Sequence, residues 1–445
     1  MCDTFVYIPS KEESTNIIFG KNSDREPNEA QAIIRIPAQQ HKPEKLKCTY
    51  IEIPQVAETY EIIISKPFQM WGAEMGANEH DLVIGNEAVF TKVPINKKNS
   101  GLTGMDMIRL ALERTKTADA ALEMITDLIA KYGQHPNGGY QSELFYHNSF
   151  MIVDKIKAWV LETAGKHWVA TEVKGYRSIS NSLTIGEEFD LSSNGIEDYA
   201  IEKGFLKKGE TFHFGKTFSD WFYTYFSKSA RRYAKSCALG INRTKFNIED
   251  AIEILSSHYV DGNEFDPSKM YNGGSVCMHA TDFTNPTQSV GSMIAEIRKD
   301  EASTFWLTGT SNPCISVYKP FFMGGNSLKQ TEFIEPAAKF DDSFWWQAEK
   351  FHRQLMNNYH ESKMIFNNDR LALQQSLLDT ERKLIRQKAS LTELDKFSIS
   401  ALDQHQKAII NWQAAISHVE PSIKWHQFIY KNYYRKLNKE VNLDF

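Results

Sequence analysis

The order in which strand-like and helix-like segments follow one another most limits the folds open to this chain. The first hundred residues alternate short β-rich runs with turns, and helical spacing of apolar residues then runs from Met105 to Tyr132. Strand patterns return over residues 149–180, with a turn at Asp154, and again over residues 289–318. Helical patterns cover residues 219–238 and 248–258 between them. Two blocks of strands, each followed by helices, predict two sheets packed face to face with helices outside, an α+β arrangement.

The pattern changes after about Phe340. Apolar residues fall at helical intervals from Asp342 to Leu437, with interruptions near Ser390 and at Pro421, and strand patterns stop. We therefore predict a main domain over residues 2–340 and a helical C-terminal extension over residues 341–445. The extension is expected to pack on the main domain or to form an oligomer contact, which leaves a homo-oligomer open.

Composition excludes several classes of function. With 445 residues, of which 41% are hydrophobic and 12% aromatic, the chain can build a sizeable core. Its formal net charge is only -5 and it has no long run of Lys or Arg, so a nucleic-acid-binding face is not expected. It has no apolar stretch of the roughly 20 residues that cross a bilayer and no basic, then apolar, signal pattern. We expect a soluble, cytoplasmic protein.

The five cysteines are scattered and never form a C-x-x-C pair, which argues against a disulfide framework. Four of them lie in apolar or strand-like settings typical of buried, inert thiols. Cys277 and His279 form a single Cys-x-His pair with no second ligand pair in the sequence, so we expect packing there rather than a metal site. No metal and no organic cofactor is predicted.

Cys2 is the exception among the cysteines. Removal of Met1, which a small second residue permits, would place Cys2 at the start of the mature chain. A free α-amine has a reference pKa of about 7.7 to 8.0 and a thiol about 8.5, so the amine can accept the thiol proton near neutral pH. Cys2 also begins an apolar, strand-like run that would hold it rigidly. Nucleophile and base would then share one residue.

Several short segments together resemble the secernin and dipeptidase A family of cysteine-type N-terminal nucleophile hydrolases. The resemblance covers nearly the whole chain and implies a four-layer αββα sandwich. Its marks are Cys2, FGKNSDR at 19–25, WGAEMGANEHDLVIGNEA at 71–88, LETAG at 161–165, SISNSL at 178–183, NPCISVYKP at 312–320 and SFWWQAEKFHR at 343–353.

The resemblance also implies site residues beyond Cys2. In related acylases an Arg and an Asp, three residues apart, follow the nucleophile strand, and Lys21 and Asp24 fill those places here. The lysine is a departure, because it supplies a point charge without the planar fork of Arg. Asp24 could hydrogen-bond the amine of Cys2, and Lys21 could favour the thiolate.

Two amides and an arginine complete the implied site. Asn86 is expected to donate to the oxyanion, with Asn78 as the alternative and a hairpin turn as its main role. Asn181 matches a residue that contacts the N-terminal amine and the substrate carbonyl. Arg231 is the candidate for the remaining arginine, and Arg232 is the alternative.

These residues predict a hydrolase that cleaves amide bonds in dipeptides or other small amides. Two other functions stay open at this point: an amidase acting on acylated amines, and a non-enzymatic interaction protein. The substituted lysine and the helical extension keep the last possibility open, and the pocket that would select a substrate cannot be deduced from the sequence.

Overall fold

The computed structural model describes residues 1–10, 16–243, 245–260, 262–269, 273–329, 334–422 and 427–443. Two antiparallel sheets dominate its first 321 residues. The first sheet has six strands in the order β14-β1-β2-β16-β17-β18. Its strands are β1 (Cys2–Ile8), β2 (Ile17–Arg25), β14 (Gly175–Ile179), β16 (Gln288–Ile297), β17 (Thr304–Leu307) and β18 (Lys319–Phe321).

The second sheet has eight strands in the order β15-β13-β12-β11-β10-β9-β8-β3. Two short ladders, β4 with β7 and β5 with β6, lie outside both sheets. The eight strands are β3 (Gln31–Ile36), β8 (Ile62–Pro67), β9 (Met75–Asn78), β10 (Val83–Val89), β11 (His147–Val153), β12 (Ala158–Ala164), β13 (His167–Glu172) and β15 (Leu191–Ser192). The ladder strands are β4 (Gln39–Gln40), β5 (Lys45–Lys47), β6 (Glu52–Pro54) and β7 (Glu58–Thr59).

Alternation along the strands sorts their side chains into separate layers of core. In β1, Val6 packs into the cluster between the two sheets, whereas Phe5 and Tyr7 belong to the cluster under the C-terminal helices. The eight-stranded sheet behaves in the same way, with Ile63 facing the first sheet and Ile64 facing helices. Successive residues of a strand point to opposite faces, so both faces of each sheet are covered.

Two helices cover the outer face of the eight-stranded sheet. They are α1 (Gly104–Arg114) and α2 (Ala118–Tyr132). Thr103 and Asp106 form a reciprocal capping box at the start of α1, as their spacing predicts. The break between the two helices falls at residues 115–117, also as predicted.

The six-stranded sheet is covered mainly by the later helices, whose apolar side chains share one cluster with Phe5, Ile18 and Trp306. The predicted interruption near Ser390 is confirmed, because Ser390 caps α10. The helices after α2 are α3 (Ile196–Glu202), α4 (Phe214–Phe218), α5 (Trp221–Phe226), α6 (Ser229–Gly240), α7 (Ile248–Leu255), α8 (Phe344–Leu355), α9 (Tyr359–Arg386), α10 (Leu391–Ile416) and α11 (Phe428–Glu440).

The layers therefore run helix, sheet, sheet, helix, and the predicted α+β sandwich is confirmed. Two details differ from the sequence patterns. Residues 315–318 were expected to form a strand, but Pro313–Ile315 form a 3₁₀ turn and the strand begins at Lys319. The helix expected over residues 219–238 is divided at Lys228, whose φ of 52° is left-handed. Among the helices of the described ranges, none is both long and apolar enough to cross a membrane.

Candidate active site

Cys2 lies at the first position of an inner strand. β1 pairs with β14 on one side and with β2 on the other, and Cys2 stands opposite Ser23 of β2. Alternation places Cys2 on the same face as Thr4 and Val6, which is the face turned toward the eight-stranded sheet. The nucleophile predicted from the sequence is therefore buried and held by two neighbouring strands.

Both polar atoms of Cys2 have specific partners. The backbone N–H of Cys2 donates to Asn181 Oδ1 at 2.9 Å. The backbone N–H of Asp24 donates to the Cys2 sulfur at 3.4 Å, and the amino group of Met1 donates to the Asp24 carbonyl at 2.9 Å. The nitrogen that would become a free amine after loss of Met1 is thus already positioned beside an amide oxygen.

Burial raises the pKa of the Cys2 thiol to about 11, and the charges of Glu74 and Asp24 add to the rise, while Lys21 opposes it. With Met1 in place, the thiol therefore keeps its proton near neutral pH. A base close to the sulfur is required before this cysteine can attack a carbonyl. The α-amine of Cys2 itself is the group that loss of Met1 would supply.

Lys21 reaches the space between the two sheets from β2. Its ammonium donates to the Asn86 carbonyl at 2.6 Å and lies 3.4 Å from a carboxylate oxygen of Glu87. Burial disfavours the charged lysine, but Cys2, Glu87 and Glu74 outweigh it and raise the lysine pKa. Lys21 thus stays charged and supplies a positive charge near Cys2, as expected, while its contacts are to a carbonyl and to Glu87.

Asp24 is the penultimate residue of β2, and its side chain lies on the face turned toward the helices. Ser289 Oγ donates to one of its carboxyl oxygens at 2.5 Å, and Arg232 Nη1 lies 3.9 Å from the other. Burial raises the pKa of the Asp24 carboxyl to about 6. Asp24 also contributes its backbone N–H to the Cys2 sulfur, which is a contact that no side-chain pattern in the sequence predicts.

Arg232 fills the arginine position rather than Arg231. The Arg232 guanidinium is buried and donates to the Cys2 carbonyl at 3.0 Å, to Asp3 at 2.5 Å and to Asn181 Oδ1 at 2.6 Å. Arg231 is exposed and lies over the ring of Tyr259, 4.8 Å from its centroid. The choice of Arg231 is corrected for this reason, and the alternative named beside it is the residue in contact.

Asn181 faces the site as predicted. Its Oδ1 accepts from both the Cys2 N–H and Arg232, and its Nδ2 donates to the Ala88 carbonyl at 2.8 Å. These three contacts fix the orientation of the amide, so that its oxygen is turned toward the nitrogen of Cys2. The Asn181 oxygen therefore contacts the nitrogen that would become the free amine after loss of Met1.

Asn86 does not offer the free donor that was expected of it. It lines the same cavity as Cys2, but its Nδ2 donates to Asn148 Oδ1 at 2.9 Å and contacts the Met105 sulfur at 3.6 Å. Alternation explains the difference, because Glu87 faces Lys21 between the sheets and its neighbour Asn86 therefore faces α1. Asn78 has the turn role assigned to it, since its Oδ1 accepts from His80 and Leu82.

Glu74 is a neighbour of the sulfur that the sequence reasoning missed. One of its carboxylate oxygens lies 3.7 Å from Cys2 Sγ and the other accepts from Arg25 at 3.1 Å. Arg25 also pairs with Glu29, so one guanidinium serves two carboxylates and the group keeps an excess of negative charge. Glu74 lies inside the segment 71–88 that carries the resemblance, which is the signal that could have identified it.

A cavity of about 340 Å³ opens in front of the Cys2 sulfur. Its walls come from the ends of β1 and β2, from the loop around residues 138–144 and from α11. Apolar residues such as Leu144, Tyr146 and Phe283 line the cavity, together with carboxylates such as Glu26 and Glu440. A small organic molecule of a few residues' size fits this space.

Two antiparallel sheets between helical layers, with a cysteine at the head of an inner strand facing a cavity, define an N-terminal nucleophile hydrolase fold. A model of peptidase family C69 matches residues 19–239. The matched family agrees with the one that the segments quoted from the sequence resemble.

Individual relatives are more distant. A probable dipeptidase from Latilactobacillus sakei is 24% identical over 325 residues, and the match spans 64% of this chain and 65% of that protein, somewhat less than two thirds of its length. Penicillin V acylase from Agrobacterium tumefaciens aligns with 72% of this chain and 86% of its own at 12% identity and a TM-score of 0.42. A mutant conjugated bile acid hydrolase from Clostridium perfringens aligns with 77% of this chain and 98% of its own at 13% identity and a TM-score of 0.43.

Proposed function

We propose that this protein is a cysteine hydrolase of small peptides, in which Cys2 acts as the nucleophile once Met1 has been removed. One observation carries the proposal: the nitrogen and the sulfur of Cys2 are both held by hydrogen bonds at the edge of a cavity. Such fixed geometry places base, nucleophile and substrate within one small volume.

The reaction follows from the groups around Cys2. The α-amine takes the thiol proton, and the thiolate attacks the carbonyl carbon of the substrate amide to give a tetrahedral intermediate. Collapse of the intermediate breaks the C–N bond, and the ammonium returns its proton to the leaving nitrogen. Water then attacks the thioester, with the amine again as base, and releases the acid and the free thiol.

Each polar neighbour has a role in this proposal. Asn181 Oδ1 orients the amine, Arg232 holds the carbonyl and amide groups beside it, and Lys21 favours the thiolate. The Asp24 carboxylate favours the protonated amine by its charge. Among the described residues, Asn86 Nδ2 contacts both Asn148 Oδ1 and the Met105 sulfur, whereas Asn181 Nδ2 donates to the Ala88 carbonyl only. Asn181 therefore keeps one amide hydrogen for the oxyanion and is the stronger of the two predicted donors.

The charge of the cavity favours a substrate with a free amino group. Within the described residues its walls carry six carboxyl groups and only two cationic side chains, Arg25 and Lys436. A peptide ammonium gains from this surplus of negative charge, whereas an anionic acyl amide is disfavoured. The carboxyl groups belong to Asp24, Glu26, Glu29, Glu74, Glu143 and Glu440.

A direct test compares free dipeptides with their N-acetylated counterparts on the purified protein, after intact-mass measurement has established that Met1 is absent. We expect kcat/KM to favour the free dipeptides, and Cys2→Ala to lower kcat/KM by at least about a thousandfold. Cys237→Ser is the matched control, because Cys237 is a half-buried thiol outside the cavity lining.

Three results would contradict the proposal in different ways. A mature chain that keeps Met1, or a Cys2→Ala variant as active as wild type, would remove the enzyme mechanism. Faster cleavage of the acetylated series would leave the nucleophile in place and reassign the substrate to acylated amines. A cysteine that no electrophile labels and no substrate reaches would favour a non-enzymatic interaction protein.

A further inference from the structure

Four potential metal ligands meet in a buried place that the proposed reaction does not use. His258, Cys277, His279 and Cys314 each offer one ligand atom, and these four atoms all lie within 4.8 Å of one another. The four residues come from separate pieces of chain: a turn after α7, an extended segment before β16 and the 3₁₀ turn at Pro313–Ile315. All four are buried.

We propose that this cluster is a structural zinc site with two thiolate and two imidazole ligands. Two cysteines and two histidines are one of the ligand sets of closed, four-coordinate zinc sites. Zn²⁺ with two thiolates and two neutral imidazoles carries no net charge, which suits a buried position.

Two sulfur–nitrogen distances in the cluster agree with a tetrahedral ion. The Cys277 sulfur is 3.6 Å and the Cys314 sulfur 3.4 Å from Nε2 of His279. For Zn–S of about 2.3 Å and Zn–N of about 2.0 to 2.1 Å, a tetrahedral angle separates sulfur and nitrogen by about 3.6 Å. Both observed separations are within about 0.2 Å of that value, the tolerance of a metal site.

Hydrogen bonds do not satisfy every polar atom of this cluster. The Nε2 atom of His258 is buried and has no hydrogen-bond partner of acceptable geometry among the described residues. Buried polar atoms are nearly always satisfied, and each exception needs an explanation. The ring of Phe265 stacks on His258 and also contacts His279, which fixes the imidazole planes around a common centre.

Ser289 joins the cluster to the Cys2 site. Met278, between two of the ligands, donates its N–H to Ser289 Oγ at 3.0 Å and accepts from the Ser289 N–H at 2.9 Å. The same Ser289 hydroxyl donates to Asp24 at 2.5 Å. A metal that holds Cys277 and His279 would therefore also hold the backbone that positions Asp24.

The experiment measures metal content of the purified full-length chain by elemental mass spectrometry, before and after incubation with ZnCl₂ and dialysis. We expect about one zinc per chain in the wild type, and at least a fivefold lower content in Cys277→Ser and Cys314→Ser. Cys48→Ser is the control, since Cys48 is equally buried but packs under α1 and α2, and it should keep its zinc.

A second measurement does not depend on the variants folding. Wild-type protein from which the metal has been removed should bind Co²⁺ and show the visible absorption of a tetrahedral, thiolate-bound ion. Zinc below about a tenth of an equivalent both before and after incubation, or equal loss in Cys48→Ser, would overturn the proposal. So would a Cys277–Cys314 disulfide found by peptide mapping of the unreduced protein. None of these readouts depends on hydrolytic activity.

Discussion

Arg232 illustrates how much can depend on one side chain in this site. It lies at the start of α6, fully buried, and its guanidinium joins the Cys2 carbonyl, the Asp3 carboxylate and the Asn181 amide. A planar fork with several donors can serve three acceptors at once, which a lysine cannot do. Arg232 thus fixes the backbone at Cys2 relative to the amide that holds its nitrogen.

Replacement of this arginine should be costly. We expect Arg232→Ala to lower the free energy of unfolding by about 3 to 5 kcal/mol, because it leaves the buried Asp3 carboxylate without its partner. Arg231→Ala is the matched control on the adjacent residue, and the loss of its exposed contact with Tyr259 should change stability by less than about 1 kcal/mol. Urea denaturation measures both, and equal effects of the two variants would contradict the burial of Arg232.

The choice between these two arginines shows where sequence reasoning stops at the scale of a residue. Cys2, Lys21 and Asp24 could be placed near one another because β1 and β2 follow each other directly in the chain, so that the start of β1 lies beside the end of β2. Neighbouring positions on a helix differ by about 100° in direction. Only the packing of α6 decides which arginine is buried, and a short local pattern does not contain that information.

At the scale of elements, a chain of three amides connects β11, β10 and the loop after α2. Gln134 donates to the Gly165 carbonyl, Asn148 donates to Gln134, and Asn86 donates to Asn148. Each link fixes the orientation of the next amide. The first residue of α1, Gly104, lies against this chain, where a methyl group would stand 2.0 Å from Asn148 Oδ1.

Gly104→Ala should therefore destabilise the protein although alanine favours helices. Helix propensity alone predicts a gain of up to about 1 kcal/mol, but the added methyl group must displace Asn148 or move α1. We expect a net loss of about 1 to 3 kcal/mol in the free energy of unfolding. Glu123→Ala, on the exposed side of α2, is the control and should stay within about 0.5 kcal/mol. A stabilised Gly104→Ala would refute this packing.

Regular elements could largely be predicted from periodicity, including the capping box of α1 and the strands around Asp154. Irregular ones could not. The segment 315–318 has strand-like composition, yet Asn312 adopts a left-handed φ of 50° and a 3₁₀ turn follows it. The four proposed zinc ligands are likewise separated by up to dozens of residues, so that their approach depends on tertiary packing. From local spacing alone, Cys277 and His279 were expected to be packed side chains rather than metal ligands.

At the scale of the whole molecule, the last described helix closes the cavity that the first strand opens. Tyr433 and Leu437 of α11 line the cavity together with Cys2. Asn28 donates to the Leu437 carbonyl at 3.1 Å, and Arg353 donates to Asn438 at 2.9 Å, so α11 is attached to the segment after β2 and to α8. The C-terminal helices therefore contribute to the size of the cavity as well as to the core.

This wall should limit the length of the substrate. If the proposed peptidase function holds, Tyr433→Ala should widen the cavity and raise kcat/KM for a tripeptide relative to the matching dipeptide by roughly tenfold. Tyr433→Phe keeps the ring and loses only a hydroxyl whose nearest acceptor, the Pro286 carbonyl, is 3.5 Å away. The phenylalanine variant should keep the wild-type preference. An unchanged ratio in both variants would show that α11 does not set the length limit.

Because β1 pairs with a strand on each side, it can reach its final position only after both of these strands have been synthesised. Its partner β14 ends at Ile179, and a two-stranded hairpin of β1 and β2 alone is only marginally stable in water. At 5 to 20 residues per second, the ribosome needs roughly 10 to 35 seconds to make those residues. During that interval Cys2 is not yet held by its neighbouring strands, whereas afterwards it is buried in the first sheet. If Met1 is removed as proposed, we expect an aminopeptidase to reach it more easily before the fold is complete.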